Sequence, residues 1–386
     1  MSDRVDYAIV GGGPAGLAVA ILAALAGRRT VVIERKRGPV DKACGEGLMP
    51  PGVVWLDRMG VDLEACRGRQ FRGIRYVDGD VIAEAEFVEG PGLGIRRTAL
   101  SSAMRSRAAS LGVEIREGCE AGAFAEGPDH VVLETTTGPV ESRWLVGADG
   151  LHGRVREACG FPVASGSRRR FGMRRHYAAE PWSDFVEVHW ADGLEAYVTP
   201  VGRDSVGIAF LWSARDDHRA DYDAFLARFP RLGLHLGGAA KSPETSVRGA
   251  GPFEVRAQAV ARGRVLLVGD AAGYLDAITG EGLSLAFASA GALIDATGRE
   301  EASAYPRAWA RVRRQHIAFT RLVLWMADRP RLRRHVIRAL SHRPRVFRAC
   351  LALNTGAWSF ALPPTVNRNG PGRNIDPGHR PSILRL

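Results

Sequence analysis

Apolar residues run almost unbroken through Val5-Asp6-Tyr7-Ala8-Ile9-Val10 and through Thr30-Val31-Val32-Ile33, and again through Val265-Leu266-Leu267-Val268. Runs of that length without alternation predict strands buried on both faces, as in a parallel sheet covered by helices. Between the first two, Leu17 to Ala26 is small and apolar and predicts a helix packed against them. Further helices are expected over Gly52 to Met59 and over Ala99 to Leu111, the latter capped by Thr98 and stopped at Gly112. Val131 to Thr135 and Trp144 to Val146 read as two more strands, and Leu283 to about Ala296 as a helix.

Elsewhere the period changes. Residues 71–88 alternate as strands that leave this layer, and between about 170 and 256 the pattern is of short β-branched or aromatic runs broken by Gly, Pro and Asp. Val186 to Trp190, Glu195 to Thr199 and Val206 to Leu211 are such runs, with one helix, Tyr222 to Phe229, ending at Pro230. The chain is helical by pattern from 299 to about Trp358, with breaks at Pro330 and Pro344, and 361–386 reads as a flexible tail rich in Pro, Gly, Asn and Arg. The fold class is α/β: a Rossmann-like domain, an inserted and mostly antiparallel sheet, and a helical C-terminal region.

Size and composition narrow this further. At 386 residues, 46% hydrophobic and 25% charged, the chain has the make-up of a globular protein with a sizeable core. No signal-peptide pattern precedes the first strand, and no apolar run is long enough to span a bilayer. Five cysteines, scattered and without metal-ligand spacing, predict a reducing, cytoplasmic setting and no metal site. The net charge of +11 is uneven: from Arg299 onward there are 18 arginines, no lysine and four acids, so this end carries +14 and the rest −3. A solvated helix surface is the default meaning of such a bias; peripheral contact with an anionic membrane, aided by the apolar run Leu322 to Met326, comes next. Nucleic-acid binding is not expected, since no recognition motif accompanies the charge.

The chemistry starts at Gly11-Gly12-Gly13-Pro14-Ala15-Gly16, between the first strand and the first helix. In this GxGxxG spacing Gly11 permits the turn, Gly13 lets backbone approach a pyrophosphate, and Gly16 lets helix and strand pack closely. Pro14 suits the first helical turn, where the free N–H groups and the helix dipole favour an anion. Glu34, with Arg35 after it, ends the second strand where a carboxylate accepts from ribose hydroxyls and repels a 2′-phosphate, so FAD or NAD fits. Two later turns, Asp149-Gly150 and Gly269-Asp270, each follow a predicted strand.

Together these three features resemble the FAD-dependent hydroxylase and geranylgeranyl reductase superfamily, the one with the para-hydroxybenzoate hydroxylase fold. The resemblance spans roughly residues 5–330. It implies FAD as cofactor, with Asp270 accepting from the ribityl hydroxyls and the helix after Gly280-Glu281-Gly282 directing N–H groups at the flavin pyrimidine ring. It implies that Asp149-Gly150 belongs to a second fingerprint, commonly written with a serine where Gly153 stands, and that Arg97 lies near the FAD. The loop Lys42 to Pro50 looks like the Cys-Gly-Glu/Gly-Gly-Leu loop of geranylgeranyl reductase-like proteins, which lies near the isoalloxazine, so that Cys44 would border the ring and Gly45 and Gly47 would allow backbone approach. Many hydroxylases carry a histidine where Gly273 stands and a proline where Ala277 stands; Ala277 is expected to leave that backbone less fixed. No Trp-x-Trp-x-x-Pro occurs, against a halogenase.

On this basis the FAD-binding domain is expected in three parts, 1–70, 95–169 and 257–298. Strands 71–94 and the sheet 170–256 would form the substrate domain, followed by a basic helical region at 299–360 and the tail 361–386. His176, Trp190, Tyr197, Trp212 and Ala277, with Cys44, are the candidates for a substrate pocket over the flavin. The leading expectation is an NAD(P)H-dependent monooxygenase that hydroxylates an aromatic or phenolic lipid or polyketide through a flavin hydroperoxide. The alternative is a flavin-dependent reductase of prenyl C=C bonds. With a single dinucleotide fingerprint, NAD(P)H would be a transient donor. No general acid or base can be singled out, and the oligomeric state stays open.

Overall fold

A computed structural model describes residues 4–161, 163–165, 169–214 and 220–355. The tail 361–386 lies outside the described residues. The first three apolar runs form the centre of one sheet, in the order Ala261–Arg262, Val265–Leu267, Val140–Gly147, Val5–Val10, Thr30–Glu34, Glu114–Glu117. All neighbours in that order run parallel except the edge strand Ala261–Arg262. Val131–Thr135 joins it antiparallel, forming with Ala121–Glu126 a hairpin that leaves the parallel layer. The helices Pro14–Leu25, Arg97–Ser110 and Gly282–Gly298 bury their small apolar residues against this sheet.

The second sheet gathers strands from distant parts of the chain: Arg248–Ala250, Arg170–Tyr177, Val206–Ser213, Leu194–Pro200, Phe185–Ala191, Gly73–Asp78, Val81–Glu86. It is antiparallel apart from one parallel pair, Phe185–Ala191 with Gly73–Asp78. One face packs on the helices Tyr222–Ala227 and Pro230–Leu236 through Phe210, Phe225 and Phe229. The other face looks toward the first sheet and the C-terminal helices Tyr305–Ala327, Pro330–Ser341 and Pro344–Thr355.

Two expected helix ends differ. Thr98 is not a cap: the helix already begins at Arg97, and the carboxylate of Glu46, from the loop 42–50, accepts from the Arg97 backbone N–H at 2.8 Å. A partner 51 residues away does what the local Thr was expected to do. Pro230 does not only end a helix; it opens the next one, at a position where its missing N–H costs nothing.

Candidate active site

Between the two sheets lies a cavity of about 1030 Å³. Its first half is built by the glycine turns. Gly11 has φ +110, and a Cβ there would sit 2.5 Å from the Ala148 carbonyl oxygen, so only glycine lets the first turn pass beside the strand ending at Gly147. Gly13 faces open space, and no side chain caps the helix that follows, so its N-terminus meets the cavity at Gly13, Pro14 and Ala15 without a side-chain partner. Gly16 is outside the cavity lining; a Cβ on it would lie 2.0 Å from the Gly11 oxygen, and its role is the close approach of helix to strand.

Pro14, Ala15, Glu34, Arg35, Arg97, Asp149, Gly150, Gly269, Asp270, Gly280 and Gly282 line the same cavity. Glu34 accepts from the Gly12 N–H at 2.7 Å and from the Lys36 N–H at 2.8 Å, which holds the carboxylate at the strand end with lone pairs to spare. Asp149 accepts from the Val155 N–H at 3.1 Å, and its other oxygen is buried without a partner. A Cβ at Gly153 would fall 2.4 Å from that oxygen, so the glycine found in place of the usual serine leaves room for the carboxylate itself. Burial raises the Asp149 pKa. Arg156 ties this turn to the next by donating to the Leu151 and Ala271 carbonyls at 2.7 and 3.0 Å. Asp270 receives the Lys42 ammonium at 2.7 Å; burial pushes its carboxyl up, but Lys42 overrides this and holds it below the usual range.

The loop 42–50 is held by the second sheet. Thr199 donates to the Gly45 carbonyl at 2.7 Å, while Glu46 is buried against Arg174 and His176. Arg174 Nη1 donates to His176 Nδ1 at 3.0 Å, so the imidazole carries its proton on Nε2 and gives it to Glu46. Arg174 also holds Asp41 at 2.7 Å. These contacts leave Cys44 and Gly45 on the cavity wall. Glu46, Arg174 and Lys42 were missed at the sequence level, because the charges that pair them come from separate segments.

The loop 273–280 is also pinned, contrary to the expectation raised by Ala277. Asp276 Oδ2 accepts from Arg170 Nε at 2.9 Å, and its other oxygen accepts from the Ile278 N–H at 3.0 Å. The Tyr197 hydroxyl donates to the Ile278 carbonyl at 2.7 Å, Tyr274 and Val255 exchange backbone hydrogen bonds, and Arg313 donates to the Gly273 carbonyl. Side chains thus do what a proline would have done.

Beyond the loops the cavity widens into an apolar chamber. Ile74 and Tyr76, Val186 and Val188, Tyr197, and Ala209 and Leu211 form its floor, each two residues from the next on its strand or directly across from it. Phe253, Tyr274, Phe319 and Leu351 close the sides and roof, and Thr279 and Asn354 add the polar groups there. Three pocket candidates are not on this wall. Trp212 belongs to the opposite face of its strand, stacked on Phe171 and against Phe225. Trp190 shares the face but lies farther along it, against Tyr76 and under the Arg333 guanidinium. His176 is covered by Glu46. Only Tyr197, Ala277 and Cys44 of that set line the chamber.

Residues 4–296 match the family described as FAD binding domain. The chain belongs to that family. This flavoprotein is 27% identical to menaquinone reductase of Mycolicibacterium smegmatis over 340 residues, 82% of each chain. It is 28% identical to para-nitrophenol 4-monooxygenase of a Pseudomonas strain, over 76% of each. Among solved structures, p-nitrophenol 4-monooxygenase PnpA of Pseudomonas putida superposes with a TM-score of 0.76 over 92% of this chain and 99% of that one, at 22% identity, a likeness of fold. The residues fit FAD: an uncapped helix N-terminus, the open space at Gly13, and Arg97 Nε, buried at the cavity wall without a partner, all await an anionic, extended ligand.

Two outcomes follow. Asp270→Ala removes a charged acceptor and is expected to weaken FAD retention by roughly 10- to 100-fold, the range for a hydrogen bond to a charged group; the flavin absorbance left after dialysis measures it, and retention equal to wild type contradicts the assignment. Glu281, buried at the start of the helix Gly282–Gly298, is pushed up to about 8 by burial, with the charge of Glu89 adding to it. Its folded pKa lies above the ordinary glutamate value of 4.5, so the folded state holds the proton more tightly, and stability falls as pH rises from 4.5 to about 8. Glu281→Gln is expected to flatten that part of the pH–stability curve, measured by urea unfolding at several pH values; an unchanged slope would contradict it.

Proposed function

We propose that this cytoplasmic flavoprotein is an NAD(P)H-dependent monooxygenase acting on an aromatic, phenolic substrate with a lipid-like tail. The observation that carries this reading is the chamber: aromatic walls from Tyr76, Tyr197, Phe253, Tyr274 and Phe319, with the polar groups of Thr279 and Asn354 side by side at one place on them, suit a planar ring bearing a hydroxyl. When bound, FAD supplies the redox chemistry. The protein supplies position and dryness: the pinned loop 273–280 fixes the wall beside the flavin site, and the apolar floor excludes water from it. Burial raises the Tyr76, Tyr197 and Tyr274 hydroxyls far above neutrality, so these side chains stay protonated and act as donors rather than bases. Likeness to para-nitrophenol 4-monooxygenase supports the reading.

A second reading, reduction of a C=C bond in a prenyl-type chain, is favoured by Cys44 on the cavity wall and by the likeness to menaquinone reductase. The decisive comparison reduces the bound flavin with NADPH and offers phenolic lipids and polyprenyl quinones with and without oxygen. An oxygenated product formed only in air is expected; a saturated chain formed under nitrogen would replace the first reading by the second.

A further inference from the structure

The C-terminal helices have two faces with different chemistry. Between 302 and 355 the chain holds 13 arginines and one acid, Asp328. A solvated helix surface ordinarily mixes both signs. Arg313 and Arg333 are buried and serve the fold, the latter paired with Asp78 at 2.8 Å, and Arg334 pairs with Asp80 on the neighbouring turn. Arg307, Arg311, Arg314 and Arg321 are different: they follow one another at intervals of four, three and seven along Tyr305–Ala327, all exposed, and so form one stripe. The stripe runs into Leu322 and Trp325, 58% and 46% exposed, with the Arg329 guanidinium 4.4 Å over the Trp325 ring. Helix Pro344–Thr355 adds exposed Val346 and Leu353 among Arg345 and Arg348.

The inner faces of the same two helices supply Phe319, Leu351 and Asn354 to the chamber. An arginine stripe alone would suit any polyphosphate. Exposed Leu and Trp side chains at its end, on the helices that roof an apolar chamber, match a surface whose phosphates lie above hydrocarbon.

We propose that the outer face of Tyr305–Ala327 and Pro344–Thr355 docks on an anionic lipid bilayer, with the arginines on headgroup phosphates and Leu322 and Trp325 in the interfacial region, so that the substrate reaches the chamber from the membrane. This rests, for its last clause only, on the lipid-like substrate proposed above. The helices lie on the surface and do not span it: among the described residues no helix is long and apolar enough to cross a membrane.

Flotation of the FAD-loaded full chain with vesicles tests it. Binding is expected to phosphatidylcholine vesicles containing phosphatidylglycerol, not to phosphatidylcholine alone, and to weaken with salt. The triple change Arg311→Gln, Arg314→Gln, Arg321→Gln is expected to lower partitioning on the order of 100-fold, and Leu322→Ser with Trp325→Ser about tenfold, with flavin absorbance and melting temperature unchanged in both. Equal binding to neutral vesicles, no binding to anionic ones, or a triple variant that floats like wild type overturns the proposal. So does displacement by duplex DNA combined with indifference to the Leu322 and Trp325 changes, which would assign the stripe to nucleic acid. Vesicle binding is read without turnover, so a protein that floats but converts only water-soluble phenols would sink the lipid-like substrate and leave the docking surface intact.

Discussion

Arg170→Met is expected to destabilise the protein by about 3–5 kcal/mol, the range for breaking a buried ion pair by removing one partner. Arg170 is buried between two carboxylates, Glu195 at 2.7 Å and Asp276 at 2.9 Å, themselves buried. Methionine fills similar space but leaves two acids without their cation. The loss is expected to shrink at low pH, because burial already raises both carboxyls and each can then take a proton. Urea midpoints at acid and alkaline pH measure this, and a loss under about 1 kcal/mol at alkaline pH would contradict it. Since Asp276 also anchors the loop 273–280, which lines the cavity, the variant should lose activity before it loses structure.

Gly11→Ala is expected to abolish FAD retention. The backbone there has φ +110, outside the range that side chains adopt, and the new Cβ would meet the Ala148 carbonyl carbon at 2.8 Å as well as its oxygen. Neither contact can relieve itself by rotating a side chain. Overpacking of this sort costs about 1–3 kcal/mol, and left-handed backbone adds about 1–2 kcal/mol for a residue with a Cβ. The first turn would move away from the strand ending at Gly147, carrying the helix N-terminus with it. Purification of a yellow, flavin-loaded Gly11→Ala protein would show that the turn is not the cradle described above.

What was legible in the sequence follows from how local each constraint is. The cofactor cradle could be read because its demands are made within a few residues: a turn that needs glycine, a helix start that needs proline or a small residue, an acid at a strand end. Strand periodicity placed Tyr197 correctly for the same reason. It could not place Trp190 or Trp212, because alternation says which residues share a face but not which face, or how much of it, is covered. Leu211 and Trp212 are neighbours in the chain, yet one floors the chamber and the other packs on Phe225. The Glu46, Arg174 and His176 cluster was hidden for a further reason. Its members lie on two segments more than a hundred residues apart, and a charged residue shows no preference for burial until its partner is known. Ala277 misled by the same route, since the loop's rigidity resides in Arg170 and Tyr197.

The chamber draws its floor and its roof from different stretches of chain. Every residue that shapes the cradle lies within 4–296, the span the family shares, whereas Phe319, Leu351 and Asn354 come from helices beyond it. The division holds only while Arg313, on the helix Tyr305–Ala327, is kept, because it donates to the Gly273 carbonyl: with it in place, a descendant could remodel Phe319, Leu351 and Asn354 and so reshape the chamber while the cradle stayed as it is. The same division gives protein engineers a natural seam, at the turn between Gly298 and Tyr305, across which C-terminal segments of related flavoproteins that keep this arginine can be recombined.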